Sequence, residues 1–151
     1  MIPKIIHQTW KTNDLPNDFK KYSETWIHHH SEWKYKFYND DDCDAFVAKH
    51  FPHLLEQYNG YQKKIQQIDF FRLLVVFAEG GLYADMDMEC YKNIDELLLN
   101  KTCVFCIEDT FSNTRANELK YKKNFQIANC IFAAEPQNKF IGDIIKKTTE
   151  L

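Results

Sequence analysis

The pattern of apolar and polar residues predicts an α/β domain, and three observations carry that reading. Short β-type runs alternate with longer stretches of helical period along the whole chain. One central unit, KKIQQIDFFRLLVVFAEGGLYADMDME over 63–89, reads as helix, glycine stop and strand in direct succession. The 151 residues are 44% hydrophobic and include 12 Phe, 8 Tyr and 3 Trp, enough for one domain, 1–151, with a real core.

Taken in order, Lys4 to Gln8 is a short apolar strand ending in His7-Gln8-Thr9-Trp10. Strand carboxyl ends are where open α/β sheets bind ligands, so Trp10 is placed to lie against a flat nucleobase, with a core position as the alternative. Asn13 to Asn17, with Pro16, is a loop. Phe19 to His30 is a helix with Phe19, Tyr22, Trp26 and Ile27 on one face. His28-His29-His30 reads as its polar end, because adjacent helical residues diverge and do not chelate one ion. Trp33 to Tyr38 alternates as a strand, and Asn39 to Asp42 caps a helix running to His50. Phe51-Pro52 breaks it, and His53 to Tyr61 is a short helix or loop.

In the central unit, Ile65, Ile68, Phe71, Val75 and Val76 recur at helical spacing, with Asp69 and Arg72 three apart on a neighbouring stripe. Gly80-Gly81 stops the helix. Leu82 to Asp87 then alternates as a strand, with Tyr83, Asp85 and Asp87 on one side. Asn93 to Leu99 is a small helix capped by Asn93, and Thr102 to Ile107 a buried strand. Glu108 to Lys123 has no period and reads as a mobile loop, with Glu108 and Asp109 near an acceptor. Phe125 to Ala134 is a strand interrupted by Asn129, and Asn138 to Thr149 a closing helix.

Composition excludes several classes. With 19 basic and 22 acidic residues the chain carries −3, so no broad field recruits nucleic acid. No apolar run reaches the roughly 20 residues of a membrane span. The polar start MIPKIIHQTWK is no signal peptide, and a cytoplasmic location is expected. The five cysteines are read as reduced, and Cys103-Val104-Phe105-Cys106, lacking a second pair, as core rather than zinc-binding.

Asp85 and Asp87 carry the chemistry. Two carboxylates at the end of a strand converge on one hard cation, Mg²⁺ or Mn²⁺, which takes the rest of its shell from water and substrate phosphates. Their ordinary alternative is a solvated acidic strand end.

The stretch QQIDFFRLLVVFAEGGLYADMDME resembles the signature of the DXD-containing sugar transferases of glycosyltransferase family 32. That group includes yeast-type initiating mannosyltransferases and bacterial capsular transferases. IPKIIHQTWKT and SEWKYKFYNDDDCDAFV are similar to its first two strands, and FQIANCIFAAEPQNKFI matches more loosely. The resemblance implies a GT-A-type, Rossmann-like sandwich binding a UDP- or GDP-linked sugar and passing a hexose to a glycan or protein, with retention. It implies Asp87 as direct metal ligand and Asp85 as touching the metal shell and donor hydroxyls. Asp69 and Arg72 would hold the donor sugar, Thr9 and Trp10 would line the donor pocket, and Tyr83 would contact the nucleotide. Asn129 would border the sugar. The family's carboxyl-terminal segment, which completes the site, falls beyond Leu151.

Two other readings stand beside this one. A non-catalytic nucleotide-sugar-binding module uses the same residues. A metal-dependent phosphohydrolase uses Asp85 as nucleophile.

Overall fold

Five strands form a single mixed sheet in the order β2-β1-β3-β5-β4. The computed structural model describes residues 1–120 and 122–150. In chain order the strands are β1 (Ile5–Thr9), β2 (Lys34–Tyr38), β3 (Gly81–Ala84), β4 (Cys103–Thr110) and β5 (Phe125–Ala134). The helices are α1 (Asn17–His29), α2 (Asp40–His50), α3 (Leu55–Gly60), α4 (Lys64–Glu79), α5 (Asp95–Leu98), α6 (Asn113–Glu118) and α7 (Lys139–Thr149). β1 runs parallel to β2 and β3, while β5 lies antiparallel to both β3 and β4. The carboxyl ends of β1 and β3 therefore open on the same edge, and both candidate clusters of the sequence fall there.

Each face of the sheet carries its own core. One joins Phe71, Leu74 and Val75 of α4 to Phe46, Tyr58, Phe132 and Ile141. The other packs Trp26 and Trp33 on Ile6, Leu82 and Leu98. α2 starts at Asp40 with a reciprocal cap, in which the Asn39 side chain accepts from the Asp42 amide and Asp42 from the Asn39 amide.

Several expectations change. The buried stripe of α1 runs through Ser23 and Trp26, while Ile27 points to solvent. His30 is a core residue rather than a polar helix end. Its Nε2 accepts from the Ile94 amide at 3.1 Å, so its Nδ1 carries the proton and donates to the Trp26 carbonyl at 3.1 Å. β3 stops at Ala84, and Asp85 to Met88 is a turn closed by the Met88 amide on the Asp85 carbonyl at 3.2 Å. The segment read as a loop from Glu108 extends β4 to Thr110 and then forms α6, whose first turn is capped by Ser112. Glu108 and Asp109 are thus strand residues. Cys106 is exposed, not core, because β4 is the edge strand and its distal half is uncovered.

Gly80 and Gly81 set where the strand begins. Both have positive φ, +68° and +100°, and a Cβ on Gly81 would lie 2.5 Å from the Ile5 carbonyl oxygen. That obstacle is β1 backbone, which cannot move without breaking the parallel pairing. Gly81→Ala is expected to lower stability by about 2–4 kcal/mol, more than the usual glycine-to-alanine change. Thermal unfolding measures it, and a loss below 1 kcal/mol would mean that the turn relaxes.

His7 locks the same junction from β1. It is fully buried, with Nε2 donating to the Gly80 carbonyl at 2.9 Å and Nδ1 facing the Tyr38 hydroxyl at 3.3 Å. Burial is the largest influence and lowers its pKa from 6.5 to about 4, with the Gly80 carbonyl opposing. Between those values the unfolded chain holds a proton that the folded one does not. The stabilisation is therefore complete above the ordinary histidine value and lost as pH falls through the folded one, by about 3 kcal/mol. Urea unfolding from pH 7 to 4 is expected to show that slope, reduced in His7→Gln. An unchanged slope would place the acid sensitivity elsewhere; His30, also lowered by burial, contributes with the same sign.

Candidate active site

The turn after β3 meets the end of β1 over a cleft of about 330 Å³, lined by Trp10, Arg72, Tyr83, Asp85 and Asp87 among others. Arg72 is its hub. The guanidinium is only 4% exposed, although it lies on a helix beside the opening. Nη1 reaches Asp85 Oδ1 at 3.2 Å and the Asn129 carbonyl at 2.9 Å, while Nη2 pairs with Asp69 at 3.0 Å. Its carbon sits 4.9 Å from the centre of the Tyr83 ring, a cation–π contact that covers the remaining face. Nε is buried without a partner among the described residues.

Asp85 is clamped through both its side chain and its backbone. The buried Tyr83 hydroxyl donates to its Oδ1 at 2.9 Å. The Thr9 hydroxyl lies 3.1 Å from the Tyr83 oxygen, and since the phenol proton is committed to the carboxylate, Thr9 is the donor. The backbone is held as firmly, with the Asp85 amide donating to the Cys130 carbonyl at 2.8 Å. The Gln8 amide group donates to the Asp85 carbonyl at 3.2 Å and itself accepts from the Tyr35 hydroxyl at 2.9 Å. Burial raises the Asp85 pKa above the ordinary carboxylate value, and neighbouring Asp87 adds to that. Arg72 and the Tyr83 hydroxyl pull the other way. Burial likewise raises the Tyr83 phenol, so it stays a donor.

Asp87 is the opposite case. It is exposed on the turn and makes no hydrogen bond or ion pair among the described residues. The pair thus divides into one fixed, largely neutralised carboxylate and one free one. No group of three or more His, Cys, Asp or Glu is gathered for a metal among the described residues. That donor set fails for a structural cage. It fits Mg²⁺ or Mn²⁺, which bind through one or two carboxylates and complete their shell from phosphate and water.

The predicted residues are not all in one place. Thr9, Trp10, Arg72, Tyr83, Asp85 and Asp87 line the cleft. Thr9, Tyr83 and Arg72 are nearly closed off, with Tyr83 and Arg72 bonded to Asp85 and Thr9 bonded to Tyr83. Trp10 is half-buried, with Phe19 edge-on at 4.8 Å, the Lys11 ammonium 5.7 Å from its ring, and its indole Nε1 buried without a hydrogen-bond partner among the described residues. Asp69 and Asn129 instead line a second cavity of about 390 Å³, joined to the cleft through Arg72. Sequence reasoning missed Gln8, whose side chain is fully buried, and the cations Lys11 and Lys64 at the cleft. A glutamine within an apolar strand was the available signal for the first, since such a group needs partners.

Residues 16–105 match a family model described as a glycosyltransferase sugar-binding region containing the DXD motif. Inositol phosphoceramide mannosyltransferase 3 of Schizosaccharomyces pombe is 37% identical over 97 residues, 64% of this chain and 27% of that protein. The initiation-specific alpha-1,6-mannosyltransferase of Candida albicans is 33% identical over 109 residues, 68% of this chain and 28% of its own length. The chain spans about a quarter of the length of these curated relatives. Among solved structures, PaToxG glycosyltransferase superposes with a TM-score of 0.66 at 18% identity, covering 96% of this chain and 59% of that one. That likeness shows the GT-A-type fold.

Proposed function

The chain belongs to the glycosyltransferase family whose sugar-binding region contains the DXD motif, and we propose that it is a metal-dependent hexosyltransferase using a nucleotide-linked sugar. The observation that carries the reading is the unequal carboxylate pair, Asp85 clamped and Asp87 free, at the mouth of one cleft. The names of the relatives support mannose as the hexose.

In this reading Asp87 would hold a Mg²⁺ or Mn²⁺ ion at the mouth of the cleft, and the ion would supply positive charge against that gathering on the leaving phosphate. Asp85, oriented by Arg72 and Tyr83, presents its outer edge to the donor's hydroxyls. Trp10 offers an apolar face to the base, and Lys11 adds positive charge at the phosphates, whereas the Lys64 ammonium is already paired with Asp44 at 2.7 Å. The bond that breaks joins the anomeric carbon to the diphosphate oxygen, which departs with the electron pair. The bond that forms joins that carbon to an acceptor hydroxyl oxygen, and the hydroxyl proton goes to the departing phosphate. The preset clamp spares the site from reorganising around Asp85 as charge moves.

Because two carboxylates cannot fill the ion's shell, Mn²⁺ and nucleoside diphosphate should each tighten the other's binding. Titration calorimetry with UDP and GDP, with and without Mn²⁺, is expected to show at least about a tenfold linkage (~1.4 kcal/mol). Purely additive binding would end the reading. Trp10→Ala is expected to weaken the better nucleotide at least about fivefold while leaving inorganic diphosphate unchanged. Equal weakening of both would return Trp10 to a structural role.

A further inference from the structure

Cys103-Val104-Phe105-Cys106 has the spacing of a dithiol, yet on β4 that spacing forbids a bridge. At about 3.3 Å per strand residue, Cys103 and Cys106 stand about 10 Å apart. A disulfide spans at most roughly 7 Å between Cα atoms. Cys106 finds its thiol neighbour across the ladder instead. The register of β4 and β5 pairs Phe105 with Phe132 and then Ile107 with Ile127, so Cys106 alone faces Ala128, Asn129, Cys130 and Ile131. Neighbouring strands lie about 4.8 Å apart, and a disulfide takes Cα atoms roughly 4.4–6.8 Å apart. The two sulfurs are near enough for charge at Cys106 to be felt at Cys130. Both thiols are free, Cys106 exposed and Cys130 half-buried.

This irregular stretch of β5 also holds the active site. The Asn129 carbonyl accepts from Arg72 at 2.9 Å, and the Cys130 carbonyl accepts from the Asp85 amide at 2.8 Å. We propose that Cys106 and Cys130 form a modification site, a thiol pair that a low-molecular-weight disulfide closes into a bridge between β4 and β5, loosening the hold on Asp85. The exposed Cys106 thiolate attacks the small disulfide, whose S–S bond breaks and releases one thiolate. The Cys130 thiolate then attacks the Cys106 sulfur of the mixed disulfide and expels the second. The two cysteines are oxidised, the small disulfide is reduced to two thiols, and these take up the two protons. β5 lies between β3 and β4, so the Asp85 amide and Cys106 are on opposite sides of Cys130. Closing the bridge therefore draws the Cys130 backbone toward β4 and away from Asp85. The effect on nucleotide binding rests on the transferase reading, whereas the bridge and the release of the Asp85 amide do not.

The test treats the full 151-residue chain with glutathione disulfide and follows it by peptide mapping and amide hydrogen exchange. A Cys106–Cys130 cross-link is expected, with exchange at the Asp85 amide at least about fivefold faster, the worth of one hydrogen bond. Binding of Mn²⁺ with nucleoside diphosphate is expected to weaken at least about fivefold, and dithiothreitol restores it. Cys106→Ser, at an exposed position, abolishes both changes, while Cys103→Ser keeps them. A mixed disulfide that never resolves onto Cys130, or a cross-link to Cys103, overturns the pair. A Cys106–Cys130 cross-link with unchanged exchange at Asp85 overturns the loosening. Faster exchange with nucleotide binding unchanged overturns the effect on the donor site. A reduced chain that binds no nucleotide places the failure with the transferase reading, and exchange at Asp85 still decides the thiol pair.

Discussion

Asp87→Asn is expected to abolish the mutual tightening of Mn²⁺ and nucleoside diphosphate and to lower sugar transfer or donor hydrolysis at least about a hundredfold. A bound cation supplies several kcal/mol of charge stabilisation at a departing phosphate, and each 1.36 kcal/mol is tenfold in rate. The substitution keeps size and polarity and removes only charge. Since Asp87 is exposed and unpaired among the described residues, the fold has nothing to lose, and the melting temperature without metal should hold steady. That combination, intact stability with lost metal linkage, separates a ligand from a structural residue. A variant that keeps its metal dependence would transfer the role elsewhere on the turn.

The same substitution at Asp85 should behave differently. Asp85 hydrogen-bonds Arg72 and Tyr83 through its side chain and Gln8, Cys130 and Met88 through its backbone, so its substitution should disturb Arg72 and Tyr83 as well. Both carboxylates were visible in the sequence as one motif, yet they are not equivalent in the protein.

Legibility followed local chemistry. The helix–Gly-Gly–strand unit was readable because its signals are short-range: helical period, two glycines at positive φ, alternation after them. The Asp69–Arg72 pair was readable from its spacing, and it forms at 3.0 Å. What could not be read was long-range. Gln8 reaches the Asp85 carbonyl 77 residues away, and His7 reaches Gly80 across 73. In a one-dimensional pattern such buried polar residues merely interrupt an apolar run. The alternation also overran its end: it continued through Asp87, whereas the turn at Asp85 lifts Asp87 off the strand. The distal half of β4 and α6 escaped because an exposed edge strand and a six-residue helix leave little apolar period.

Arg72→Met is expected to cost about 3 kcal/mol in the absence of metal, at the lower end for breaking a buried ion pair because Asp85 keeps 28% exposure. Methionine retains the aliphatic stem packed in α4 while removing the charge that holds Asp85, Asp69 and the Asn129 carbonyl. The deficit should depend on pH, and its sign follows from Asp85. Burial already raises that carboxyl in the folded state, and without Arg72 it rises further. A raised folded value means that the stabilisation is complete below the unfolded carboxylate value and lost as pH rises through the folded one. Arg72→Met should therefore unfold more easily at pH 8 than at pH 5 relative to the parent protein. Adding Asp85→Asn should recover part of the loss, because the stranded charge is gone, giving a coupling of about 1 kcal/mol or more in a double-mutant cycle. Arg72→Lys should not rescue donor binding, since one ammonium cannot span three acceptors held by a planar fork. A deficit flat with pH and strictly additive with Asp85→Asn would show that Arg72 serves packing alone, and Asp85 would then owe its orientation to Tyr83 and Gln8.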